Sequence, residues 1–189
     1  MAWFEHDGVR LYYEVHGLGL PLVLTHGASW DHDQWAPQVA ALAPQYQVIV
    51  WDVRGHGQSG LPPGPVDPDD FHRDLVVLLD HLALPRAVLG GLSMGGHISL
   101  RTAARYPQRA AALILIGTPF TNSYNWYEKL LVPVNRFSQR LMPMSLIARS
   151  QARILSEQPA VREYAEAATS QLNHDRWVRL WNAITHMES

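Results

Sequence analysis

The sequence contains no cysteine, which excludes disulfide bonds, thiolate zinc sites and cysteine nucleophiles. A single lysine, Lys129, stands among the 15 basic residues, so a Schiff-base mechanism is disfavoured. The formal charge of −2 gives no electrostatic reason to expect nucleic acid or an anionic membrane as a partner. The longest apolar run, residues 110–116, is too short to span a membrane, and the first residues show no signal peptide. We therefore expect a cytoplasmic protein.

The length and composition of the sequence are those of one folded domain. The 189 residues are 47% hydrophobic and 17% charged, which is enough apolar surface for a core. Over the first 116 residues, short apolar runs such as residues 47–51 and 87–92 alternate with segments of helical spacing, after an initial hairpin that turns at Asp7-Gly8. This alternation predicts an α/β fold, with a mostly parallel sheet and helices on both of its faces.

The last third of the sequence has no strand pattern. Residues 126–155 and 160–186 have the spacing of amphipathic helices. Three prolines are expected to break these helices: Pro133, Pro143 and Pro159. We therefore divide the chain into a core of residues 1–122 and a helical region of residues 123–189 that lies on the sheet.

One serine lies between glycines in the pattern G-x-S-x-G. The run GLSMG, residues 91–95, follows a predicted strand and precedes a predicted helix, as a nucleophile elbow requires. Gly91 and Gly95 leave room for a tight turn, which puts Ser93 at the carboxyl edge of the sheet. There the Met94 N–H and the helix dipole favour negative charge. The alternative interpretation is a serine that only caps the helix.

A second N–H donor is expected from the loop that follows an earlier strand. His26-Gly27-Ala28 comes directly after the apolar run at residues 21–25. The Ala28 N–H would complete an oxyanion hole for a tetrahedral intermediate. We interpret His26 as a residue that hydrogen-bonds the loop backbone and shapes the turn.

Three ordered motifs, HGASWDHDQW, WDVRGHGQS and GLSMGGH, resemble the α/β-hydrolase superfamily. The resemblance covers the first two thirds of the chain closely, and the helical region is similar to the family's cap. It implies Ser93 as the nucleophile, with Ala28 and Met94 as the oxyanion-hole donors. The loop that contains Asp52, Arg54 and His56 matches a structural loop of the family, not its triad.

The resemblance also implies a range of chemistries. The sequence is similar to 3-oxoadipate enol-lactonase-like and carboxylesterase-like members. Cofactor-free haloperoxidases and carbon–carbon bond hydrolases share much of the same sequence. We predict hydrolysis of a small carboxylic ester or lactone through an acyl-enzyme on Ser93. A binding scaffold or pseudo-enzyme is the alternative from another functional class.

The acid and the histidine of the triad follow the serine in chain order in this fold. The family places them after the seventh and eighth strands, whereas the predicted strands end with the sixth, at residues 113–116. We therefore expect the chain to be truncated before both residues, to fold poorly or associate through an uncovered strand, and to hydrolyse esters feebly. His97, His174 and His186 are the alternatives, each disfavoured by its position.

No cofactor is expected. The glycines match neither a P-loop nor a dinucleotide motif. The cluster Asp31-His32-Asp33 lacks the spacing of a metal site and is interpreted as a solvated loop. The predicted partner is a small-molecule substrate, with neither nucleic acid nor membrane, and the oligomeric state is left open.

Overall fold

The computed structural model describes residues 2–118, 126–155 and 157–187. The strands are β1 Ala2–His6, β2 Val9–His16, β3 Leu20–Thr25, β4 Tyr46–Trp51, β5 Ala87–Leu92 and β6 Ala110–Ile116. The α-helices are α1 Ala36–Leu42, α2 Asp70–His81, α3 Met94–Arg105, α4 Trp126–Leu141, α5 Met144–Leu155, α6 Pro159–Ser170 and α7 His174–Ile184. Short 3₁₀ turns lie at His32–Trp35 and Pro107–Arg109.

The six strands form one sheet in the order β1-β2-β4-β3-β5-β6. β2 pairs antiparallel with β1 and with β4, and the remaining pairs are parallel. Asp7 and Gly8 join β1 to β2 with φ angles of 50° and 74°, as a two-residue hairpin turn of the primed type requires. The predicted hairpin and the predicted mostly parallel sheet are both confirmed.

Helices cover both faces of the sheet because apolar side chains alternate along its central strands. In β3, Leu22 and Leu24 belong to the apolar cluster that also contains residues of α1. Val23, between them, belongs to the larger cluster that contains residues of α2 and α3. The fold class predicted from the sequence is therefore confirmed.

The chain after β6 is helical where it is described, but one predicted helix break is wrong. α4 continues through Pro133, which removes one backbone hydrogen bond from the helix without ending it. Pro143 lies between α4 and α5, and Pro159 is the first residue of α6, a position that tolerates proline because its N–H needs no partner there.

α7 packs into the main core and does not lie apart from it. Leu180, Ala183 and Ile184 belong to the same apolar cluster as α2 and α3. Gly55, in the loop after β4, has a φ of +78°, and a Cβ added to it would lie 2.7 Å from Leu180 Cδ2. The boundary between core and helical region stays a prediction, and its first residues, 123–125, lie outside the described residues.

A buried ion pair attaches the loop after β4 to α2. The Arg54 guanidinium donates to both carboxylate oxygens of Asp74, each at 2.6 Å, and to Asp70 at 2.5 Å. His6 Nδ1 lies 2.6 Å from the same Asp74 carboxylate. Arg54 and Asp74 are both buried, so this part of the loop after β4 lies in the protein interior.

Among the described residues, no helix has the length and apolar character that crossing a membrane demands. The cytoplasmic location stays a prediction.

Candidate active site

Ser93 lies at the sharp turn between β5 and α3. Its backbone angles are φ 50° and ψ −111°, a region that costs a residue with a side chain about 1–3 kcal/mol. The Ser93 N–H donates to the Ile116 carbonyl at the end of β6, at 2.9 Å, and this bond holds the turn against the neighbouring strand. The side chain is half-buried, so the hydroxyl stays within reach of a substrate at the carboxyl edge of the sheet.

The glycines around Ser93 are required because backbone packs directly on backbone. A Cβ added to Gly91 would overlap the carbonyl group of Gly95. A Cβ added to Gly95 would overlap the carbonyl oxygen of Thr25, at the end of β3. A Cβ added to Gly96 would overlap the Thr118 side chain, a constraint that the sequence pattern did not reveal.

The oxyanion-hole candidates lie on two segments in direct contact. Thr25 pairs with Gly91 in the parallel sheet, so the loop that follows Thr25 begins beside the elbow. A Cβ added to Gly27 would lie 2.8 Å from Leu92 Cδ2, which shows how closely the two segments pack. Among the described residues, the backbone N–H groups of Ala28 and Met94 donate to no other group of the protein. Both donors are thus available to an anionic oxygen.

His26 is part of the loop and not a proton carrier. It is fully buried, and its Nδ1 donates to the Gly27 carbonyl at 2.8 Å while its Nε2 accepts from the Val53 N–H at 3.0 Å. Burial lowers the pKa of His26. A neutral imidazole with both nitrogens occupied positions the turn that precedes Ala28.

Two further contacts shape the same loop and were missed by the sequence analysis. Gln34 Oε1 accepts from the Gly27 N–H at 2.9 Å. The buried Ser29 has a φ of 66°, and its hydroxyl is hydrogen-bonded to the Thr169 hydroxyl of α6 at 2.9 Å. No local pattern predicts the second contact, because Ser29 and Thr169 are 140 residues apart in sequence.

The interpretation of residues 31–33 as a solvated loop holds for Asp33, whose side chain is 71% exposed, but is wrong for Asp31 and His32. Asp31 accepts a hydrogen bond from Tyr164 of α6 at 2.7 Å. His32 Nδ1 and the His32 N–H both lie 2.8 Å from Asp52 Oδ1. In the described part of the chain, no three His, Asp or Glu side chains are placed to bind a metal. The segment joins the loop after β3 to the loop after β4 and to α6.

The Asp52–His32 pair is an ion pair at mildly acidic pH. Burial alone would raise the pKa of Asp52, but hydrogen bonds from His32 and from the Gln58 N–H outweigh burial and hold this pKa below its usual value of 3.8. Burial alone would lower the pKa of His32, but Asp52 outweighs it and raises this pKa above 6.5. The pair is therefore most stabilising between about pH 4 and 6.5, since Asp52 loses its contribution below this window and His32 loses its contribution above it.

We expect His32→Gln to lower the free energy of unfolding by about 1.5 kcal/mol at pH about 5.5 and by less at pH about 9. The variant loses the charged hydrogen bond to Asp52 but keeps the one from the backbone N–H of residue 32. Urea unfolding of both proteins at the two pH values measures the difference. An equal loss at both would contradict a raised pKa of His32.

Two of the three histidines that could substitute for a triad base, His174 and His186, are hydrogen-bonded elsewhere. His174 Nε2 donates to the Gln139 carbonyl at 3.0 Å. His186 Nδ1 donates to the Asn182 carbonyl at 2.6 Å, and its Nε2 accepts from Arg136 at 2.9 Å. Across residues 2–118, 126–155 and 157–187, no imidazole is hydrogen-bonded to the Ser93 hydroxyl. The described site therefore holds a serine and two N–H donors without a base in contact.

The sequence profile of the α/β hydrolase fold matches residues 20–142. The chain therefore belongs to the α/β-hydrolase fold family, and the resemblance inferred from its motifs is confirmed.

Individual relatives agree with this class. The chain is 36% identical over 97 residues to 3-oxoadipate enol-lactonase 2 of Acinetobacter baylyi, an alignment that covers 51% of this chain and 36% of that protein. The enol-lactonase structure from Burkholderia xenovorans LB400 superposes with a TM-score of 0.84 at 27% identity and covers 99% of this chain, which matches 74% of that one. A hydrolase structure from Pseudomonas aeruginosa PA01 gives 0.86 at 25% identity, with coverages of 99% and 73%. The chain spans 30% to 63% of the length of the first curated relatives it matches.

Proposed function

We propose that this chain carries the nucleophile and the oxyanion hole of a serine hydrolase that cleaves a small carboxylic ester or lactone. One observation carries the proposal: Ser93 is half-exposed in a strained turn, next to the unoccupied N–H groups of Ala28 and Met94. Strain of this kind persists where the surrounding structure enforces it, and it is concentrated at reactive sites. The similarity to two enol-lactonases supports the same substrate class.

On this proposal, Ser93 Oγ attacks the carbonyl carbon while its proton passes to a general base. The carbonyl electron pair moves onto oxygen, and the N–H groups of Ala28 and Met94 stabilise the resulting oxyanion. Collapse of the intermediate breaks the bond to the leaving-group oxygen, which takes up the proton and leaves an acyl group on Ser93. Water then attacks the acyl carbon, the bond to Ser93 Oγ breaks, and a proton from the water returns to Ser93 as the acid is released. For a lactone, the leaving alcohol stays attached to the acyl group.

The general base and the triad acid lie outside the residues that the structure describes. Without a base in contact with Ser93, the described part of the site can supply only positioning and oxyanion stabilisation. Such a partial site retains about 10³–10⁴-fold acceleration over water. Feeble ester cleavage by residues 1–189 remains the prediction.

A binding scaffold is the second candidate, and the absence of any described imidazole bonded to Ser93 favours it. The haloperoxidase and carbon–carbon hydrolase reactions would also use Ser93. They differ from ester hydrolysis in their substrates and not in the residues of the described site.

We expect incubation with p-nitrophenyl acetate to release p-nitrophenol slowly and to leave an acetyl group on Ser93, detected by mass spectrometry of the protein and its peptides. Ser93→Ala should form no such adduct. Ser138→Ala is a matched control, because the Ser138 hydroxyl bonds only within α4, to the Asn135 carbonyl at 2.8 Å. A small lactone tested in parallel should acylate the same residue. Binding of the ester without any acyl group on Ser93 would favour the binding scaffold. Fast turnover that is lost in Ser93→Ala would contradict the proposal that the general base lies outside the described residues.

A further inference from the structure

The Ala28 N–H lies in a tight turn formed by residues 27–30, named the oxyanion turn below. The Trp30 N–H donates to the Gly27 carbonyl at 3.3 Å and closes this turn. Ser29 stands at the third position with a φ of 66°, where a turn with positive φ normally has glycine. Because a residue with a side chain disfavours this conformation, contacts from elsewhere in the structure must hold it.

The direction of the Ala28 N–H is fixed by the Gly27 carbonyl, because both groups belong to one peptide plane. In a trans peptide the N–H and the C=O point in opposite directions. The Gly27 carbonyl accepts from the Trp30 N–H at 3.3 Å and from His26 Nδ1 at 2.8 Å. A displacement of Trp30 would therefore release this carbonyl on one side and allow the Ala28 N–H to rotate.

α6 contacts three consecutive residues at the end of the oxyanion turn. The hydroxyls of Ser29 and Thr169 are hydrogen-bonded at 2.9 Å, and both residues are buried. The Trp30 ring packs edge-on against the Tyr164 ring, with the ring centroids 5.4 Å apart. The Tyr164 hydroxyl donates to Asp31 at 2.7 Å. Side chains of a single helix thus hold residues 29–31.

The direction of the Thr169 hydroxyl is set by its own helix. Thr169 Oγ1 lies 2.7 Å from the Ala165 carbonyl, which can only accept. Since a hydroxyl has one hydrogen, both bonds form together when Thr169 donates to Ala165 and Ser29 donates to Thr169. Removal of the Thr169 oxygen would therefore leave the buried Ser29 hydroxyl without its acceptor, which is unfavourable.

We propose that α6 positions the oxyanion hole, and that Thr169 and Tyr164 are positioning residues that act through the oxyanion turn. Their side chains hold residues 29–31, the Trp30 N–H holds the Gly27 carbonyl, and the Ala28 N–H keeps its direction as a consequence. The role of Thr169 and Tyr164 rests on the proposed function of Ala28 as an oxyanion donor. Displacement of α6 would weaken stabilisation of the oxyanion without any contact to Ser93.

Acylation of Ser93 by p-nitrophenyl acetate and by p-nitrophenyl thionoacetate tests this role. The first ester develops negative charge on oxygen and the second on sulfur, which is the weaker hydrogen-bond acceptor. Thr169→Val has a similar shape without the hydroxyl, and it should slow formation of acetyl-Ser93 about tenfold while slowing the thiono reaction much less. Thr169→Ser should restore the wild-type ratio of the two rates. Mass spectrometry of the Ser93 peptide measures both rates.

Thr102→Val is the matched control. Thr102 is as buried as Thr169, and its hydroxyl donates to the Ile98 carbonyl at 2.8 Å, four residues earlier in α3. It should leave the ratio of the two rates unchanged. If Thr169→Val slowed both reactions by the same factor, or neither, the positioning role would be overturned. A wild-type protein that forms no acyl-Ser93 would overturn the proposed function itself, and the positioning role with it.

Tyr164→Phe gives a second test that stands even if Thr169→Val fails to fold. The variant loses the bond to Asp31 but keeps the ring packed on Trp30, and the half-buried position tolerates the change. The ratio of the acetate rate to the thionoacetate rate should fall, by less than in Thr169→Val. An unchanged ratio would overturn the proposal.

Discussion

Gly95→Ala is expected to destabilise the protein by about 3 kcal/mol and to suppress acylation of Ser93. The new Cβ would overlap the Thr25 carbonyl oxygen and lie 2.7 Å from the His26 carbonyl oxygen. Both obstacles are backbone atoms, and Thr25 is held in the sheet by its pairing with Gly91. The end of β3 cannot move away without breaking that pairing. The first turn of α3 must therefore shift and carry Ser93 with it.

The matched control is Gly60→Ala. A Cβ on Gly60 meets its nearest atom, the Arg10 carbonyl oxygen, at 3.4 Å, which is close to ordinary contact, and Gly60 does not have a positive φ. Urea unfolding gives the stabilities, and the rate of acetyl-Ser93 formation gives the reactivity. If Gly95→Ala behaved like Gly60→Ala in both measurements, the backbone contact between the elbow and the end of β3 would not be essential.

Arg54→Met is expected to cost about 3–5 kcal/mol of unfolding free energy, because it leaves the fully buried Asp74 carboxylate without its guanidinium partner. Asp74→Leu should also destabilise the protein, because the buried Arg54 guanidinium then keeps only its ion pair with Asp70. The double variant should be more stable than the sum of the two losses implies, since an apolar pair leaves no buried charge.

Urea unfolding of the wild type, both single variants and the double variant gives the four free energies of a double-mutant cycle. Losses that simply add would show that the Arg54–Asp74 contact carries little interaction energy. His6 and Asp70 also contact this pair, so their side chains are kept in all four proteins.

Local patterns predicted the parts of the fold that local physics determines. The turn at Asp7-Gly8, the strand at residues 87–92 and the sharp turn at residues 91–95 are specified by neighbouring residues, and each lies where the sequence indicated. The break expected at Pro133 is wrong because a helix can lose one hydrogen bond and continue when the rest of its turns remain satisfied.

Other features depend on contacts between distant segments. Thr169 bonds Ser29, and Leu180 packs against Gly55. No sequence periodicity encodes such pairs, because they exist only after the loops and helices have been brought together by the core. The same reason explains why His32, interpreted as part of a solvated loop, is bonded to Asp52.

We expect the fold to make Ser93 more reactive toward acyl and phosphonyl electrophiles than any other serine of the chain. Prolonged incubation with a fluorophosphonate, followed by peptide mass spectrometry, tests it directly. We predict one adduct, on Ser93, that is lost in Ser93→Ala and in protein unfolded by urea. Modification of other serines at the same rate, or a folded protein whose Ser93 stays unmodified, would contradict the account.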